Sequence, residues 1–237
     1  MLRDQDRLHL ALMLALTFST GVVDAIGYLG LDKVFTANMT GNVVILAMGL
    51  TGQDDLPIVG PVIALIGFVI GAAIAGRMLK GVPKGWHRRD TWALSVVAAL
   101  LLLALIPTAF ITETPAPVQL GYPVTALLAV AMGMQAGTAR HIAVTDVTTV
   151  VITSTLAALA FDSRVGRSTG QQWVRRLLAV SLLALGALSG ALLLLVAFWA
   201  GLALAAAVLV AVAVLGTVGR RVHDRHARDQ EVGAAAR

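Results

Sequence analysis

Apolar residues in this chain gather into long blocks nearly free of charge, with none of the alternation that marks a half-buried strand. The blocks are Leu8–Tyr28, Val34–Thr51, Pro57–Met78, Thr91–Ile111, Leu120–Ala139, Ile142–Phe161 and Leu177–Gly219. Most approach the roughly 20 residues that a helix needs to cross bilayer hydrocarbon. The last block runs 43 residues without a charge. At about 1.5 Å per residue that is about 65 Å of helix, so two spans are expected, with a turn near Trp199–Gly201. Eight apolar segments result.

Basic residues decide how many of the eight cross, because cytoplasmic loops collect Lys and Arg. If all eight cross, the cluster Arg77, Lys80, Lys84, Arg88 and Arg89 falls outside. If segments two and six instead enter and leave on one side, 17 of the 18 basic residues lie inside and Lys33 alone lies outside. The doubtful segments are also the most polar. Segment two carries Thr36, Asn38, Thr40 and Asn42, and segment six carries Thr145, Asp146, Thr148, Thr149, Thr153 and Ser154. Polar, interrupted helices at membrane depth belong where they line a cavity. The expected fold is an all-α polytopic membrane protein with six transmembrane spans plus two broken or re-entrant helices.

The order of features repeats: span, polar broken segment, span with Gly-x-x-x-Gly, span with Trp near its start. Gly67 and Gly71 mark the first copy, Gly186 and Gly190 the second. An odd number of true spans per half makes the second copy upside down, so two inverted repeats are expected, a recurring build of transporters and channels. This divides the chain into residues 1–112, residues 113–219 and a basic tail over 220–237, with both termini cytoplasmic. The glycine pairs suit close helix contact inside the bundle or across a homodimer.

Composition excludes an ordinary soluble globule: 58% of the 237 residues are hydrophobic and 13% charged, against roughly 25% charged in soluble domains. The net charge of +5 sits in short clusters between apolar runs, so it reads as topology signal and no nucleic acid is expected. There is no Cys, which removes disulfides and thiolate chemistry. His223 and His226 lie in an Arg-rich tail and read as solvated. No metal or cofactor is expected. Walker, Gly-x-Ser-x-Gly, Gly-x-Gly-x-x-Gly and His-Glu-x-x-His motifs are absent, so no enzyme activity is expected.

Candidate functional residues stand out by their cost in hydrocarbon. Asp24 lies deep in the first span, where an ionised acid costs at least ~2.5 kcal/mol unless paired, protonated or wet. It reads as a coupling site, or as an acceptor for Tyr28 or for a broken helix. Asn38, Thr40, Gly41 and Asn42 suit an unwound stretch with a new helix from about Asn42, lining a cavity or merely capping that helix. Thr145, Asp146, Thr148 and Thr149 hold the equivalent place in the second half, and Gln135 is the polar counterpart of Asp24. Arg140 and His141 read as anchors.

The runs Asp24-Ala25-Ile26-Gly27-Tyr28, Phe35-Thr36-Ala37-Asn38-Met39-Thr40-Gly41-Asn42 and Gly133-Met134-Gln135 resemble the YoaK family of small bacterial membrane proteins. The resemblance covers nearly the whole chain, but Thr148-Thr149 stands where that family tends to keep a Thr-Gly. It implies a bacterial inner-membrane location and no particular substrate. The functional expectation is a secondary transporter or facilitator of a small polar or anionic solute, bound between the two broken helices, with Asp24 or Asp146 as a proton-coupling acid. A passive channel on the same fold, or a non-transporting structural or sensory protein, are the alternatives.

Overall fold

A computed structural model of the chain describes residues 2–52, 54–111, 114–142, 152–162 and 173–235. The described residues form eight helices: α1 (Leu2–Gly30), α2 (Met39–Gly49), α3 (Val59–Met78), α4 (Arg88–Thr108), α5 (Val118–Ile142), α6 (Ile152–Phe161), α7 (Trp173–Leu194) and α8 (Phe198–Ala235). Six are long and apolar enough to cross a membrane. Helix α2 of segment two has 11 residues, roughly half the length that bilayer hydrocarbon requires, and the described part of segment six holds the 10 residues of α6.

The most buried spans are α1 and α5, so these two form the centre. In lipid no hydrophobic force drives helices together, and close van der Waals contact between small residues must do so. Helix α5 packs chiefly on α3, and α1 chiefly on α7. Both contacts are backbone on backbone. Gly71 of α3 sits against the carbonyl of Val130 in α5, while Gly133 of α5 sits against that of Phe68 in α3. The arrangement recurs with Gly186 of α7 on the carbonyl of Phe18 and Gly21 of α1 on that of Leu183. A Cβ at any of the four would collide with main chain that has nowhere to go. Helices α4 and α8 pack on each other, α8 also on α1 and α4 also on α5. The short helices ride on their neighbours, α2 on α3 and α6 on α7.

Several expectations shift. The turn in the last apolar block falls at Leu195–Ala197, and Trp199–Gly201 already belong to α8. Phe198 decides this: its ring lies on Gly30 at the end of α1, where a Cβ would stand 2.6 Å from Cε2, and Gly201 lies against Ile26. Helix α2 begins at Met39, because the Asn38 side chain accepts the Gly41 N–H and caps the helix there. Helix α8 continues through the expected tail to Ala235. The Gly-x-x-x-Gly pairs are spent inside the bundle, since Gly67 and Gly71 face α5 and Gly186 and Gly190 face α1.

Gly71→Ala and Gly186→Ala are each expected to destabilise the protein by about 1–3 kcal/mol, because the added methyl forces the helices apart. Gly76→Ala, in α3 with open space around it, is expected to stay within about 1 kcal/mol of wild type. Thermal unfolding of the purified variants in one detergent distinguishes the two classes.

Candidate functional site

A cavity of about 540 Å³ lies beside the break between α1 and α2. Helix α1 contributes Thr20, Gly21, Asp24 and Tyr28, the linker contributes Phe35, Ala37 and Asn38, and α6 contributes Ile152 and Thr153. Helix α7 closes the wall with Leu183, Ala187, Leu188 and Ala191. The close fit of α7 on Gly21, against the backbone of Leu183 and Ala187, brings α7 in to close that wall. The exposed Tyr28, Leu29 and Leu188 stand at the rim.

The linker across residues 31–38 is non-helical, so its N–H groups need partners that a helix would have supplied. Asp24 supplies them. Its Oδ1 accepts the N–H of Thr36 at 2.9 Å and of Ala37 at 2.7 Å, with the Thr36 hydroxyl at 3.5 Å. Oδ2 takes none of these bonds, and the residue lines the cavity. Asn42 does the same from the other side. Fully buried, it accepts the N–H of Phe35 through Oδ1 at 2.9 Å and donates through Nδ2 to the Phe35 carbonyl at 2.6 Å. The Phe35 ring then covers Gly41 and stacks on Tyr28 with centroids 4.9 Å apart. Gly27 is required under this strap, since a Cβ there would stand 2.5 Å from the Val34 carbonyl oxygen.

Of the sequence-derived candidates, the cavity gathers Asp24, Tyr28 and Asn38. Thr40, Gly41 and Asn42 are not on its wall: Thr40 is exposed, Gly41 gives its N–H to Asn38, and Asn42 holds Phe35. Gln135 is also off the wall. It is buried in α5 and donates through Nε2 to the Thr20 hydroxyl at 2.9 Å and the Leu16 carbonyl at 3.2 Å. It therefore ties α5 to the turn of α1 that precedes Asp24. Thr145, Asp146, Thr148 and Thr149 lie outside the described residues. Among the described residues no cluster of three or more His, Asp or Glu is placed to hold a metal.

Thr20 and Phe35 are lining residues that the pattern of the sequence did not single out, whereas Thr153, named among the polar residues of segment six, does line the cavity. Thr20 stands one helical turn before Asp24, and that i, i+4 spacing is the signal that would have found it. A second buried acid was also missed. Asp90 accepts the His87 N–H at 2.9 Å, completing a capping box at the start of α4, and its Oδ1 lies 2.8 Å from His141 Nδ1. His141 Nε2 lies 3.0 Å from the Val82 carbonyl. His141 thus anchors α5 to α4 and to the preceding loop.

Six apolar helices of spanning length, two shorter helices and a carboxylate at the mouth of a broken one define a polytopic α-helical membrane protein. The chain belongs to the family described as "Protein of unknown function (DUF1275)", which it matches over residues 12–215. It is 33% identical over 152 residues to the UPF0700 transmembrane protein YoaK of Bacillus subtilis (strain 168). That match covers 64% of this chain and 65% of the relative, just under two thirds of the relative's length. No solved structure matches.

Asn42→Ala is expected to destabilise the protein by about 1–3 kcal/mol, since it strands the N–H and the carbonyl of Phe35 inside an apolar bundle. Asn38→Ala removes one exposed cap and is expected to lose about 1 kcal/mol or less. Melting temperatures of the two variants in the same detergent check the order.

Proposed function

We propose that this protein is a secondary transporter or facilitator whose solute occupies the cavity beside Asp24. The observation that carries this reading is the convergence of one carboxylate, two aromatic rings, the linker ahead of α2 and residues of α6 on a single space of about 540 Å³, well within the range of small-molecule sites. The chemistry of the wall narrows the solute. An anion would meet Asp24, and the N–H groups nearest it are already taken by Asp24 and Asn38. A small organic cation finds a carboxylate oxygen and the faces of Tyr28 and Phe35, which attract positive charge. The rest of the wall is largely aliphatic, which suits the hydrocarbon part of an amine.

The packing supports two inverted repeats. Exchanging α1 with α5, α3 with α7 and α4 with α8 carries each principal helix contact into another principal contact. It also carries the Gly71 and Gly133 pair onto Gly186 and Gly21. The charge distribution supports cytoplasmic termini in a bacterial inner membrane. A second reading rests on Asp24 Oδ1, whose bonds to Thr36 and Ala37 make the acid the anchor of the linker even in a protein that moves nothing.

Flux and stability measured together separate the readings. In proteoliposomes holding the full chain, ethidium uptake is expected to exceed sulfate uptake. Asp24→Asn keeps an oxygen for Thr36 and Ala37, so it is expected to melt near wild type while losing at least about tenfold of cation flux. Asp24→Ala is expected to lose both flux and about 1–3 kcal/mol of stability. Full cation flux in Asp24→Asn would leave only the anchoring role. A Cys pair at Asn38 and Thr153, which share the cavity, is expected to crosslink with a short reagent. An impermeant thiol reagent on intact cells is expected to spare a single Cys at Gly85, and labelling there would refute the cytoplasmic loop.

A further inference from the structure

The face between α4 and α8 carries a groove whose chemistry changes along its length. One stretch is a cavity of about 560 Å³ walled by Leu102 and Leu105 of α4 and by Ala203, Ala207, Ala211 and Val214 of α8. It is almost wholly apolar, and the alanines keep it open. Towards the start of α4 the groove meets a second cavity of about 280 Å³, lined by Arg88, Arg220 and Arg221 together with Thr91, Ser95 and Thr217. The two adjoin: Leu215 of the apolar stretch and Thr217 of the basic one lie within one turn of α8, and Ser95 stands about 10 Å along α4 from Leu102.

The basic end is built for an anion. Among the described residues no carboxylate lines it. Arg88 and Arg221 are exposed and hold no ion pair among the described residues. The Thr91 hydroxyl accepts the indole N–H of Trp86 at 3.0 Å, which leaves its own proton to donate outward. Arg88 also lines an adjoining cavity with Lys84 and Arg89, so the cationic surface extends beyond the groove. Trp92 lines the basic cavity and stands 58% exposed, as amphipathic rings do at a membrane interface.

We propose that this groove holds an anionic glycerophospholipid, its phosphate between Arg88, Arg221 and the Thr91 hydroxyl and one acyl chain along the alanine-walled stretch. Guanidinium groups match phosphate oxygens with paired, charge-assisted hydrogen bonds. The apolar continuation selects a lipid over a free phosphate, which would use the upper cavity alone. The site is separate from the cavity beside Asp24 and stands whatever that cavity carries.

The test is native mass spectrometry of the full purified chain with dioleoylphosphatidylglycerol and dioleoylphosphatidylcholine at equal concentration. Retention of the phosphatidylglycerol is expected to exceed that of the phosphatidylcholine by about tenfold or more. Arg88→Gln with Arg221→Gln is expected to erase that preference. Ala207→Phe with Ala211→Phe fills the groove from exposed positions, and is expected to cut phosphatidylglycerol retention by about tenfold with the melting temperature unchanged. Equal retention of the two lipids by wild type would overturn the proposal. So would full displacement by excess inorganic phosphate, undiminished binding by the filled groove, or a dimer that excludes the lipid from this face. The wild-type ratio and the filled groove decide the matter even if the Gln variant fails to fold.

Discussion

In hydrocarbon every peptide group needs a partner from within the protein, and among the described residues the linker between α1 and α2 departs from helix while remaining beside the spans. Two side chains carry that departure. Asp24 takes two successive N–H groups and Asn42 takes both polar groups of Phe35. Their positions then set everything beside them. The linker is drawn against α1 over Gly27, Phe35 is pressed on Tyr28, and α2 starts at Met39 under the Asn38 cap. The cavity is the space left between this strap, α6 and α7. The acid that lines the cavity is therefore also the acid that builds it, and one substitution at position 24 perturbs both unless it preserves the acceptor.

The helices can leave such a space only because they are held firmly elsewhere. Backbone contacts at Gly21, Gly71, Gly133 and Gly186 join α1 to α7 and α5 to α3 without intervening side chains. Gln135 then crosses from α5 to Thr20 and Leu16, so the turn of α1 below Asp24 is fixed to the other half of the bundle. Small residues give close approach and one buried amide gives register, which is the economy expected where burial in lipid adds no driving force. At the opposite end Asp90 and His141 join α4 to α5, and the basic residues gather around them.

The number of spans, the shortness of segment two and the special character of Asp24, Asn38 and Asn42 were legible in the linear pattern. Hydrocarbon leaves few solutions to a run of apolar residues, and every polar residue placed in it must answer for its cost. The roles within the polar set were not legible. Asn38, Thr40, Gly41 and Asn42 lie within five residues and look alike as a string, yet one lines the cavity, one is exposed, one donates to the cap and one holds a ring in place. Only the path of the linker over α1 separates them.

Tertiary contact also decided what composition left degenerate. The stretch from Leu192 to Ala197 offers no residue that would end a helix, and it turns at Leu195–Ala197 because Phe198 has a glycine to rest on in α1. The glycine pairs announced close packing without naming their partners, since that depends on which helix lies opposite. Gln135 resembled a second functional residue until α1 was placed beside it, where its amide finds Thr20 and becomes a tie between helices. By itself the sequence determined which residues lie in the membrane and which of them are costly there, because hydropathy is a local property of the chain. Which costly residue meets which partner is a matter of distances between segments far apart in sequence, and only the folded bundle sets those.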